Sequence, residues 1–117
     1  MAQQTVLVRS AAAATINTDT ALFTPASGIK YKLLAFLVVN EGAAQASGMS
    51  FELRIGANII GVVGFDVAAA PIGQTSKQLI LAHEFLGDGV TPVRARNLVA
   101  LAASSNAAYT LSVDANY

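Results

Sequence analysis

The chain has 117 residues, seven of them basic and seven acidic, a formal net charge of +0, and neither cysteine nor tryptophan. That length suits one domain around one core, able to bury about two-thirds of its unfolded surface without a metal or disulfide staple. Neutrality leaves no overall field to draw the chain onto phosphate backbones or an anionic membrane, so neither nucleic acid nor membrane is an expected partner. The lack of cysteine excludes disulfide frameworks, thiol nucleophiles and thiolate zinc sites.

Charged residues make up only 12% of the chain, against about 25% in ordinary globular proteins. A folded surface of about 6,000 Å² then carries one charge per roughly 400 Å². Soluble monomers normally keep their surfaces charged and free of large apolar patches. Part of this surface is therefore expected to be covered in the working state, by self-association or by docking on a larger assembly. The blander reading is an Ala-rich, merely uncharged surface.

The first segment, Met1 to Arg9, lacks the charged start, apolar block and small-residue cleavage site of a secretory signal, so folding in a cytoplasm is expected. Within it Met1 to Gln4 reads as a short lead-in and Thr5 to Arg9 as a first strand. Ala11 to Ala14 has helix propensity, but the β-branched and Asx residues from Thr15 to Thr20 argue for a connection. A second strand is expected around Thr20 to Thr24, closed by Pro25-Ala26-Ser27-Gly28.

Ile29 to Val39 is the strongest strand pattern and is apolar on both faces. Tyr31, Leu33, Ala35, Leu37 and Val39 fall on one side and Leu34, Phe36 and Val38 on the other, with Lys30 and Lys32 marking an exposed beginning. Its run Leu33 to Val39 is the longest unbroken apolar stretch, seven residues, far short of the roughly 20 that span a bilayer. In a sandwich one face of such a strand meets the core and the other needs a cover.

Asn40 to Gly48 reads as a small-residue loop. Met49, Phe51, Leu53 and Ile55 then alternate with Ser50, Glu52 and Arg54, which gives a strand with one wet face. After the turn at Gly56-Ala57-Asn58 a strand runs from Ile59 to Phe65, its glycines at 61 and 64 pointing to a bulge or close backbone approach. Asp66 to Thr75 is a loop, Lys77 to Leu86 a strand, and Gly87-Asp88-Gly89 a break that Pro92 prolongs. Leu98 to Ala103 reads as a further strand, Ser104-Ser105-Asn106 as its turn, and Tyr109, Leu111 and Val113 as the inward face of the last. The expected fold is all-β: one antiparallel β-sandwich of about eight strands over residues 1–117, jelly-roll-like and without the marker residues of an immunoglobulin domain.

Chemistry is sparse. His83 is the one histidine, and its strand neighbour Glu84 points to the opposite face, so the two cannot act as a base and its orienter. A structural histidine is the reading favoured, and His83→Gln is expected to leave function intact. The carboxylates Asp19, Glu41, Glu52, Asp66, Glu84, Asp88 and Asp114 are scattered singly, and Gly87-Asp88-Gly89 lacks the successive ligands of a calcium loop. No helix follows the glycines to hold a phosphate. No enzyme activity, cofactor or metal is expected. Arg94-Ala95-Arg96 puts two cations on one face of an extended segment, solvated or set against an acidic partner. Tyr31, Phe51 and Tyr109 fall on core faces, and only Tyr117 is free to stack on a sugar.

The segments Ile29 to Phe36, Ser50 to Gly56 and Tyr109 to Tyr117 together resemble small capsid decoration (cement) proteins of tailed bacteriophages, of β-sandwich type. The resemblance covers about Ile29 to Tyr117 and rests on strand patterns. It implies a non-enzymatic virion protein, commonly a homotrimer, that binds the outer face of the shell and clamps neighbouring copies of the major capsid protein. Many such proteins carry a longer arm than Met1 to Gln4. The interaction residues expected on this reading are Lys30, Lys32, Leu34, Phe36, Val38, Arg94 and Arg96. The reading kept beside it is a recognition domain, such as a fibre or tail head or a carbohydrate-binding module.

Overall fold

In the computed structural model, which describes residues 2–42, 48–64, 75–79 and 84–116, nine strands and no helix are present among those residues. They are β1 (Ala2–Arg9), β2 (Asp19–Phe23), β3 (Lys30–Glu41), β4 (Ser50–Ile55), β5 (Asn58–Gly64), β6 (Thr75–Leu79), β7 (Phe85–Leu86), β8 (Val93–Asn97) and β9 (Asn106–Asn116). One sheet has the order β1-β9-β3-β6, with the two-residue β7 also pairing β3, and the other has the order β2-β8-β4-β5. The antiparallel pairs β1/β9, β2/β8, β3/β6 and β4/β5 are the rungs of one long hairpin. Rolling that hairpin up adds the pairs β3/β9 and β4/β8 and makes the two sheets of a jelly roll.

The core lies between the sheets. Tyr31, Leu33, Phe36 and Val38 enter it from β3, Phe51 and Leu53 from β4, and Tyr109, Leu111 and Val113 from β9. Phe36 stacks on Tyr109 at 5.9 Å between ring centroids, and Phe51 meets the same ring edge-on at 5.7 Å. Both arrangements suit the quadrupole of an aromatic ring.

Strict alternation along β3 fails at one place. A bulge between Leu33 and Ala35 sets two residues of β3 against one of β9, and every side chain beyond it changes face. Tyr31 and Leu33 point inward before the bulge, and Phe36, Val38 and Asn40 point inward after it. Ala35, Leu37 and Val39, expected beside Tyr31, stand on the outer face with Thr110 and Ser112 of β9.

Three other expectations are corrected. Residues Ala2 to Gln4 are not a lead-in but part of β1, paired with β9 up to Ala115. Val93 to Asn97, expected to be irregular, is a central strand: Pro92 stands just ahead of it, where no ladder donor is missed. Leu98 to Ala103 has no ladder; its apolar character serves burial of Leu101, whose amide bonds the Ala14 carbonyl at 2.9 Å. The expected strand from Lys77 to Leu86 appears as β6 and β7, and residues 80–83 between them lie outside the described set.

Candidate functional site

The roll has two ends and two outer faces. At the end with the 24–29, 56–57 and 84–92 connections, the backbone is tied tightly: Gly87 N donates to Ile29 O at 2.7 Å, Gly28 N to Gly87 O at 3.0 Å and Gly89 N to Pro25 O at 3.0 Å. A Cβ on Gly87 would run into the Ala26 carbonyl and Pro25. Asp88 closes the next turn, its Oδ1 accepting from the amides of Val90 at 2.9 Å and Thr91 at 2.7 Å and its Oδ2 from the Thr91 hydroxyl. Led by the Thr91 hydroxyl, these donors hold the carboxyl at about 2. Beside this turn lies a cleft of about 250 Å³ lined by Tyr31, Ile55, Asn58, Leu86, Asp88 and Thr91, among others. Burial, and next the Asp88 charge, push the Tyr31 phenol upward.

The outer face of β2-β8-β4-β5 gathers five charges. Register places Asp19, Arg96 and Glu52 in one row and Ala21, Arg94 and Arg54 in the next. Arg96 donates to Asp19 through two nitrogens, at 2.7 and 3.1 Å, and Arg94 reaches the same carboxylate at 3.4 Å. The Arg96 hydrogen bond above all holds Asp19 below the usual carboxylate range. Arg54 sits 3.6 Å from Glu52, and Arg54 and Arg94 donate to the carbonyls of Ala57 and Gly56. The Nε of Arg54 and of Arg94 are covered yet have no hydrogen-bond partner.

The outer face of β1-β9-β3 is almost free of charge at its centre. Leu7, Thr110 and Leu37 form one row and Thr5, Ser112 and Ala35 the next, and Leu7 is 54% exposed. Lys77 of β6 is the register neighbour of Leu37. Of β1, β9 and β3 the charges stand at two corners. At one, Glu41 accepts from Arg9 at 2.9 Å and Asn106 at 3.0 Å, which together lower its pKa, Asn106 contributing more. At the other, Lys32 is the register neighbour of Asp114.

The expected interaction residues are therefore dispersed. Phe36 and Val38 are fully buried between the sheets, so as surface contacts they are corrected: the bulge turns them inward. Leu34 lies at the bulge, half-buried, and Lys30 and Lys32 stand at the outer start of β3. Arg94 and Arg96 do share a face, but each is engaged by Asp19 instead of being simply solvated. His83 lies outside the described residues, as do Asp66 and Tyr117. Among the described residues no group of three or more His, Asp or Glu side chains is placed to hold a metal ion. The exposed apolar side chains Ile59, Val62, Leu86 and Val90 were not singled out from sequence. The signal was present at Val90, an apolar residue directly after Gly87-Asp88-Gly89, where turn chemistry gives no reason for one.

No family model and no curated protein matches the chain. Solved structures do match. A chain in the acidic stable capsid of Helicobacter pylori bacteriophage KHP30 superposes with a TM-score of 0.52 and 11% identity, over 100% of this chain and 94% of its own length. The coat protein of Tobacco streak virus gives 0.42 and 13%, covering 96% of this chain and 84% of that one. A cyclase from Fischerella sp. TAU gives 0.39 and 12%, covering 88% and 60%. At 11% identity the likeness to the phage-capsid chain is one of fold.

Proposed function

We propose that this protein is a non-enzymatic component of a phage virion that sits on the outside of the shell, as a homo-oligomer, and stabilises it by bridging neighbouring subunits of the major capsid protein. The observation that carries this reading is the broad outer face of β1-β9-β3, uncharged along Thr110 and Ser112 of β9, with Leu7, Leu37 and Val39 on the strands beside them. A face of that kind suits wide contact with another protein surface, where the centre of an interface is depleted of charge. The phage-capsid chain supports the setting, because the likeness in fold spans 94% of it. A trimer is the expected oligomer, by the resemblance noted from sequence.

Stabilisation follows from linkage. A protein that binds only the assembled shell favours that state by about 2.7 kcal/mol per site at a hundredfold excess over its dissociation constant. The test is the copy number in purified virions relative to the major shell protein. Hundreds of copies support the reading; a few dozen or fewer point to a fibre or tail, and none overturns it.

The cleft at the 84–92 end favours a second reading, a recognition domain. It is concave, and Tyr31, Asn58, Asp88 and Thr91 bring polar groups to an otherwise partly apolar lining. Binding of a soluble glycan that is lost in Asn58→Trp, which fills the cleft, would support this reading over the first.

A further inference from the structure

Two surface patches carry features left only partly compensated among the described residues. The first is the turn after β7. Leu86 and Val90 are 67% and 78% exposed, the highest values for large apolar side chains among the described residues. They flank Asp88, and Glu84 stands exposed at the start of the same segment. Among the described residues neither carboxylate has a basic partner; Lys30 is the register neighbour of Leu86, and Arg54 and Arg94 reach the 56–57 connection at this end without pairing to either carboxylate. The turn is pre-shaped by its bonds to the 24–29 connection, so docking it costs little ordering entropy.

The second patch is the outer face of β2-β8-β4-β5. Arg54 and Arg94 are direct cross-strand neighbours, and like charges so placed destabilise a sheet. With Arg96, three guanidinium groups stand over the two carboxylates of Asp19 and Glu52. Ile59 and Val62 extend this face as the register partners of Arg54 and Glu52, 54% and 55% exposed. Their strand, β5, is the last in its sheet, and Asn58 to Gly64 contains none of the charges or prolines that commonly blunt an edge.

We propose that these patches are the two halves of one contact between copies of this chain. The turn carrying Leu86 and Val90 packs on Ile59 and Val62 of the next copy, with Glu84 and Asp88 over its arginine pair. Apolar groups meet apolar groups, and a patch with one excess negative charge meets one with one excess positive charge. Because the halves differ, the contact is head to tail, and it builds a ring if it closes. One half lies at the end of the roll and the other on its side, so successive copies turn through a corner, which favours closure over a straight filament.

The size of the face agrees. Four strands of five to seven residues make roughly 375 Å², below the ~800 Å² per partner of a standard interface. A single contact is then weak, and the ring, in which every copy makes two, is the stable form. This deepens the self-association in the proposed function and rests on it, but it does not depend on the shell.

Two exposed substitutions test the contact: Val90→Arg spoils the turn and Ile59→Glu spoils the face. Wild type is expected to assemble at roughly 100 µM, where an interface below standard size is populated. Each variant alone should be monomeric by light scattering, its self-association weakened by at least about 30-fold, with circular dichroism unchanged. An equimolar mixture retains one intact turn and one intact face, a single contact, so at several hundred micromolar chemical cross-linking should trap a two-copy species containing both variants, which neither variant gives alone. A monomeric wild type, a variant that assembles normally, or a mixture with no mixed species would each overturn the contact. A monomeric wild type that still binds and stabilises shells would sink the contact alone and leave the shell reading standing.

Discussion

Phe36 and Tyr109 show how one side chain's surroundings decide the outcome of a substitution. Phe36 is fully buried against the Tyr109 ring, so Phe36→Ala should cost about 3–5 kcal/mol in urea unfolding. Phe36→Asp places an unpaired carboxylate in the core and should abolish folding outright, visible as loss of the tyrosine near-ultraviolet signal; a folded monomer would contradict the burial described. The Tyr109 hydroxyl is buried with no hydrogen-bond partner, and burial raises its pKa. Removing it in Tyr109→Phe relieves an unmet desolvation cost, so stability should hold or rise by up to about 1 kcal/mol. Asp88 gives a pH test. It titrates at about 2 in the fold against 3.8 for a free side chain, so it stabilises the fold above that higher value and loses the effect as pH falls toward the lower one. Asp88→Ala should be less stable than wild type at neutral pH, and the gap between their urea midpoints should close between about pH 4 and pH 2.

At the scale of elements, the bulge in β3 decides which face of the chain is its surface. With Leu34 removed, Leu33, Ala35 and Phe36 would oppose Val113, Ser112 and Leu111 in unbroken register. Deletion of Leu34 should therefore leave a folded protein with Phe36 and Val38 still inward. Deletion of Leu37 instead drives Val38 and the buried Asn40 outward, and should cost far more, since a one-residue slip turns every later side chain. Comparing the two deletions by urea unfolding checks this, and equal losses would contradict the role given to the bulge. The other end of β3 is anchored by a buried polar contact, Ser105 Oγ donating to Asn40 Oδ1 at 2.8 Å. Asn97 likewise holds the 10–18 connection, its Nδ2 donating to Thr15 O at 2.7 Å and Val99 O at 2.8 Å.

For the whole molecule, the proposed shell contact is largely apolar, and the arginine at its corner, Arg9, is already engaged by Glu41. Binding to stripped particles should therefore weaken only moderately with rising salt, unlike a polyelectrolyte contact whose affinity falls by orders of magnitude. Particles without this protein should assemble but open at lower temperature, and adding the pure protein back should restore the opening temperature. Stripped particles as heat-resistant as complete ones would end the cement reading and bring the recognition domain forward.

The all-β class, the alternation of β4 and β9 and the shortage of charge are local properties, and they were legible along the chain because strand periodicity and composition need no partner. The inward face of β4 at Phe51 and Leu53, and that of β9 at Tyr109, Leu111 and Val113, are as the alternation predicts. The face of β3 was not legible beyond Leu33: with apolar residues on both sides, nothing in the pattern marks where the parity turns, and only pairing with β9 does. The strand Val93 to Asn97 was hidden by Pro92, whose effect depends on whether it falls inside a ladder or just ahead of one. The charged face was hidden for a related reason, because Asp19 meets Arg94 and Arg96 from more than seventy residues away. Periodicity says which residues share a side of one strand, whereas the rolling of the hairpin decides which strands lie together, and both sheet faces proposed as contacts are made from several strands at once.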